Sequence, residues 1–99
     1  MQAHYALAFE REMGCTVSEL RGWLPGACGE RPIVWREQGV EVTIEGGSAA
    51  IAWQVLEPRR IALIAVPRLY VRFEARGVDE AAWQAFMRRF DLYTQRGGG

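Results

Sequence analysis

The chain has 99 residues, of which 49% are apolar, 24% charged and 11% aromatic, which suits one globular domain and leaves no room for a second core. Twelve basic residues balance twelve acids, so the formal net charge is zero. A protein gripping nucleic-acid phosphates or an anionic membrane by charge alone would be basic. No stretch approaches the roughly 18 apolar residues of a membrane span and no signal-peptide pattern opens the chain, so a cytoplasmic setting without a membrane is expected.

The inventory narrows the chemistry further. All twelve cations are arginine, and lysine is absent. No Schiff-base, P-loop or general-base lysine is therefore available. Histidine occurs once, as His4, and cysteine twice, as Cys15 and Cys28. A zinc site takes four ligands, and no pair here has CxxC or HxxxH spacing, so neither a metal nor any other cofactor is expected. Ser18 and Ser48, the only serines, lie outside any GxSxG elbow. No catalytic residue can be assigned, and the two thiols are expected to be reduced.

The N-terminal segment alternates, with Tyr5, Leu7 and Phe9 on one side and His4, Ala6, Ala8, Glu10 and Glu12 on the other. This predicts a strand with one buried face, ended by Gly14. Thr16-Val17-Ser18-Glu19 is a capping box, followed by a helical stripe of Val17, Leu20 and Leu24. Pro25-Gly26 is expected to stop that helix, because the residue before a proline is disfavoured in the α region. Ile33-Val34-Trp35-Arg36 reads as a strand, with Gln38-Gly39 as a turn. Val40, Val42 and Ile44 then alternate with Glu41, Thr43 and Glu45. Gly46-Gly47 predicts a hairpin, and the returning strand places Ala49, Ile51, Trp53 and Val55 on one face, with Ala50, Ala52 and Gln54 on the other.

The stretch from Arg60 to Ala75 reads as one long, bent strand. Its odd positions from Ile61 to Ala75 are apolar throughout, and Pro67 implies a bend, bulge or edge. Leu63, Leu69, Val71 and Phe73 are expected beneath the helices, against Trp83, Phe86 and Phe90. A hairpin through Pro67-Arg68 is the competing reading. After Gly77, Asp79 caps a helix whose apolar face is Trp83, Phe86, Met87, Phe90 and Tyr93, with Gln84, Arg88, Asp91 and Gln95 facing elsewhere.

The order β-α-β-β-β-β-α predicts an α+β two-layer sandwich over residues 1–96: an antiparallel sheet of four to five strands with two helices on one face. Residues 97–99 are expected to form a flexible glycine tail. In element order and length the chain resembles one repeat of the TATA-box-binding-protein architecture, a topological likeness that implies a fold and no activity.

Three functional readings follow. The uncovered sheet face should gather Ala6, Ala8, Ala50, Ala52, Ala62, Ile64 and Val66 into a low apolar floor, with Arg68, Tyr70 and Arg72 beside it. Such a patch marks an interface, so a non-catalytic binding or assembly module is expected, either a homo-oligomer or one docked on a protein partner. Alternatively, the chain is a small-molecule binder or a modest enzyme using a carboxylate, Tyr70 and arginines above the sheet, with Arg68 and Arg72 holding a small anionic ligand. The third reading rests on Gly98-Gly99, an ending similar to that of ubiquitin-like sulfur carriers, which implies a carrier acting through its terminal carboxylate. In those proteins the tail follows a strand, whereas here it follows a predicted helix. Arg68, Tyr70 and Arg72 could also form a nucleic-acid platform, but four neighbouring glutamates and zero net charge argue against nucleic acid as a partner.

Overall fold

A computed structural model describes residues 4–95. Strand β1 (Ala8–Met13) is followed by helix α1 (Val17–Cys28), strands β2 (Ile33–Arg36), β3 (Gly39–Ile44), β4 (Gly47–Ile61) and β5 (Ile64–Arg76), and helix α2 (Glu80–Gln95). The five strands form one antiparallel sheet in the order β1-β5-β4-β3-β2. The α+β class and the expected order of elements are both present.

The core lies between the sheet and the helices. Val40, Val42, Ile44, Ala49, Ile51, Trp53, Leu69, Val71 and Phe73 point inward from the strands, and Leu20, Leu24, Trp83, Phe86, Met87 and Phe90 meet them from the helices. Phe73 stacks on Phe9 and meets the Phe90 ring edge-on at 5.2 Å. The inward register read for Leu69, Val71 and Phe73 is therefore the one the protein adopts.

Helix α1 begins at the expected capping box. The Glu19 amide donates to Thr16 Oγ1 at 3.1 Å, and Glu19 Oε1 accepts from the Thr16 amide at 2.9 Å. It does not stop at Pro25. The helix continues to Cys28 because Leu24, Ala27 and Cys28 are all fully buried, and that burial outweighs the hydrogen bond a proline cannot donate. Gly29 ends it instead, with φ of 66°.

Three other expectations are corrected. Strand β1 starts at Ala8, and Tyr5 is buried outside any strand. Its hydroxyl donates to Asp91, its amide donates to Gln84 Oε1 at 2.8 Å, and its carbonyl accepts from Gln84 Nε2 at 2.6 Å. Gln84 and Asp91 are buried for this reason, although helical spacing puts them on the polar side. Arg11 also donates to Asp91 and lies over the Phe73 ring at 5.1 Å. Turns fall at Glu37-Gln38 and Glu45-Gly46, one residue before the expected positions.

The third correction concerns the long strand. It runs through Pro67 without a turn, but it begins at Ile64, because the chain reverses at Ala62-Leu63. Arg60 and Ile61 belong to β4, which pairs Arg59 with Val66, Arg60 with Ala65 and Ile61 with Ile64. Between Leu56 and Arg59 the register shifts by a bulge that sets Glu57 and Pro58 against Pro67. Bulges and edges are where strands tolerate residues that cannot donate to the ladder.

Replacing Phe73 by alanine is expected to lower the unfolding free energy in urea by about 3–5 kcal/mol. Leu63→Ala should leave it within about 0.5 kcal/mol, because Leu63 lies outside the core. Equal losses at the two positions would show that the packing described for β5 is wrong.

Candidate functional site

The uncovered face of the sheet is built in rungs. Ala8, Glu74, Ala50, Glu41 and Val34 lie side by side across the five strands, and Glu10, Arg72, Ala52, Gly39 and Arg36 form the next rung. Ala8, Ala50 and Ala52 floor a shallow trough of about 580 Å³ that is walled by Glu10, Arg72, Glu74 and Arg76. Gly39 belongs to the adjoining concavity, and a Cβ there would come within 2.6 Å of the Ile51 carbonyl oxygen.

The expected floor is split. Ala8, Ala50 and Ala52 do face outward on the sheet, whereas Ala62, Ile64 and Val66 lie far along the β4–β5 ribbon, beyond the reach of β1 and β3. Ala6 precedes β1, and its carbonyl accepts from Trp83 Nε1 at 2.7 Å. Alternation keeps Ala8, Ala50 and Ala52 on one side, but the ribbon carries three of the seven residues away from the sheet.

The five β5 residues singled out from the sequence therefore sit in two places. Tyr70 and Arg72 lie over the open face, Ile64 and Val66 on the projecting ribbon, and Arg68 at its root. The arginines meet glutamates. Arg68 donates to both carboxylate oxygens of Glu12 at 2.9 Å and to the Glu57 carbonyl at 3.1 Å. Arg59 is 3.5 Å from Glu12, and Arg72 is 3.6 Å from Glu10. Arg76 bridges Glu74 at 2.7 Å and Glu41 at 3.5 Å. The hydrogen bond from Arg68 lowers the Glu12 pKa, and the same contact raises that of Arg68. A hydrogen bond with Glu10 raises the Tyr70 pKa. An anion would have to displace Glu12 to use Arg68. Gly98 and Gly99 lie outside the described residues.

The chemistry-bearing side chains are dispersed. His4 sits beside Glu80 at 3.5 Å on the exposed surface. Cys15 and Cys28 are buried and unbridged, and burial pushes each thiol from 9.0 up to about 11. Among the described residues, no three His, Cys, Asp or Glu side chains come together as a metal site. No helix of the described residues is long and apolar enough to cross a membrane.

The largest departure from an ordinary surface is the ribbon end. Leu63 is fully exposed at 103%, with Val55 at 66%, Ile64 at 64% and Ile61 at 56%. Beyond the Met13–Leu69 pair β1 stops, and beyond the Gly39–Ala52 pair β3 stops, so residues 54–68 stand as a two-stranded arm. The run Ile61-Ala62-Leu63-Ile64-Ala65-Val66 is visible in the sequence as six successive apolar residues. Its turn is not, because Ala62 takes a φ of 55° at a position where glycine or asparagine is the usual signal.

Compared with known protein families, curated proteins and solved structures, the chain matches none.

The raised thiol pKa values carry a sign. A thiol that ionises less readily when folded favours folding as pH passes the protonated range only while it stays neutral, so its contribution is present below 9.0 and is lost as pH rises toward about 11. The thermal midpoint should therefore fall between pH 8 and pH 11, and Cys28→Ala should flatten that fall. An unchanged slope in the variant would show that Cys28 ionises as freely folded as unfolded.

Proposed function

We propose that this chain is a small non-catalytic docking module that engages its partner through the β4–β5 arm rather than through the centre of the open sheet face. The observation that carries the reading is the concentration of exposed apolar side chains on the arm. An isolated two-stranded ribbon gains little stability in water, and apolar groups left outside the core contribute to association rather than to folding. The sheet face is less suited to the task. Its alanine floor is narrow, and ion pairs of opposite sign surround it.

The non-catalytic part of the proposal rests on the side chains themselves. His4 lies exposed beside Glu80, whereas both thiols are buried, and burial raises each thiol's pKa, which makes it a poor nucleophile. Two buried, unbridged cysteines fit a reducing compartment, so a cytoplasmic setting belongs to the same reading.

Photo-crosslinking in the native cell tests the location of the surface. Benzoylphenylalanine at position 63 should give adducts, of whatever mass, while the same group at Ala85 on the exposed side of α2 should give none. Adducts at Ala52 and none at Leu63 would return the docking surface to the open sheet face.

A further inference from the structure

Resting on that reading of the arm, we infer that its partner is the surface of an anionic phospholipid bilayer, into which the tip inserts without crossing. The distribution of apolar and charged groups around the ribbon points to this occupant. Paired residues share a face and successive pairs alternate, so Ile61 and Ile64 project from one face, Arg60 and Ala65 from the other, and Arg59 and Val66 again from the first. The turn residues Ala62 and Leu63 lead, both exposed. The turn and the leading rung of the tip are thus apolar, and behind them Arg60 follows on one face and Arg59 on the other. A protein surface covers one face of a ribbon. An apolar turn and leading rung, with a cation behind them on each face, suit a medium that surrounds the tip.

The dimensions agree. At about 3.4 Å per residue, Arg60 lies roughly one rung and Arg59 roughly two rungs behind Ile61. With the turn in front, the apolar cap is about 5–10 Å deep, the depth to which interfacial elements bury in the boundary between headgroups and acyl chains. The two guanidinium groups would then stand at the phosphates. Arg60 meets no carboxylate among the described residues. Arg59 shares Glu12 with Arg68, and at 3.5 Å it is the more distant of the two partners. The acids, Glu57 and Glu12, lie behind the collar toward the body of the domain. Zero net charge is no obstacle, because Glu57 is the one acid within residues 54–68, Glu12 sits at the root, and salt limits the reach of charge to about 8 Å. Pro58 and Pro67 withhold backbone donors from the arm, which disfavours edge-to-edge pairing with a second copy.

The test uses the full chain and vesicles of phosphatidylcholine with roughly a third phosphatidylserine, against phosphatidylcholine alone. A polarity-sensitive fluorophore on Leu63→Cys reports insertion, since both native thiols are buried. The expected result is a blue shift and co-sedimentation with the anionic vesicles only, weakened by salt. Leu63→Glu should abolish binding, and the double variant Arg59→Glu, Arg60→Glu should weaken it at least about tenfold. Arg72→Glu, on the open face, should bind as wild type, and circular dichroism should show every variant folded. Three results would overturn the proposal: no binding to anionic vesicles, equal binding to both kinds, or a blue shift that grows with protein concentration in the absence of lipid, which would identify a second copy as the occupant. Crosslinks at position 63 without vesicle binding would leave the arm as the docking element and remove the bilayer as its partner.

Discussion

The structure depends on a mismatch of lengths. Strand β4 has 15 residues and β5 has 13, whereas β1 and β3 have six each and the longer helix has 16. A strand advances about 3.3 Å per residue and a helix about 1.5 Å, so β4 spans roughly 50 Å and α2 roughly 24 Å. Among the described residues, no helix can cover the central hairpin along its whole length. Leu69, Val71 and Phe73 fall where the helices reach and are buried. The residues on the far side of Leu69 fall where nothing reaches, and the same alternation that builds a core at one end places apolar side chains in water at the other.

Anchoring differs between the two ends of the ribbon. At the body, β5 is held between β1 and β4, and Arg11, Tyr5 and Asp91 tie β1 and the preceding segment to α2 beneath it. At the root, Glu12 on β1 clamps Arg68 on β5 and approaches Arg59 on β4, so a single carboxylate joins three strands just before the arm leaves the sheet. The bulge at Glu57-Pro58 adds twist at the same place. The arm is thus a continuation of the best-supported pair of strands, aimed by its root, rather than a loose loop. That combination, a supported base and an uncovered apolar end, carries the functional reading.

Much of this was legible in the sequence, and for local reasons. The capping box at Thr16, the β3–β4 hairpin near Gly46 and the inward set Leu69, Val71 and Phe73 are all signals contained within a few residues. What was not legible required knowledge of neighbours. Pro25 reads as a stop until the burial of Leu24, Ala27 and Cys28 is known. Asp91 and Gln84 read as solvated until Tyr5 arrives from a segment 79 or more residues away. The arm was hidden by its turn: Ala62-Leu63 carries no glycine, asparagine or proline, and the apolar parity continues across it. Ile64, Val66, Arg68, Tyr70 and Arg72 are strung along β5 as expected, yet a shared strand does not make a shared site, because beyond Leu69 the sheet narrows to the two-stranded arm.

The central claim is that the hairpin is formed in water and stands clear of the body. Nuclear Overhauser spectroscopy on the isolated protein tests this most directly. Cross-strand contacts should appear between Arg60 and Ala65 and between Ile61 and Ile64, with none from the Leu63 methyl groups to any residue of α1 or α2. Leu63 methyl contacts to Trp83 or Phe90, or the absence of cross-strand contacts beyond Leu56, would contradict the account.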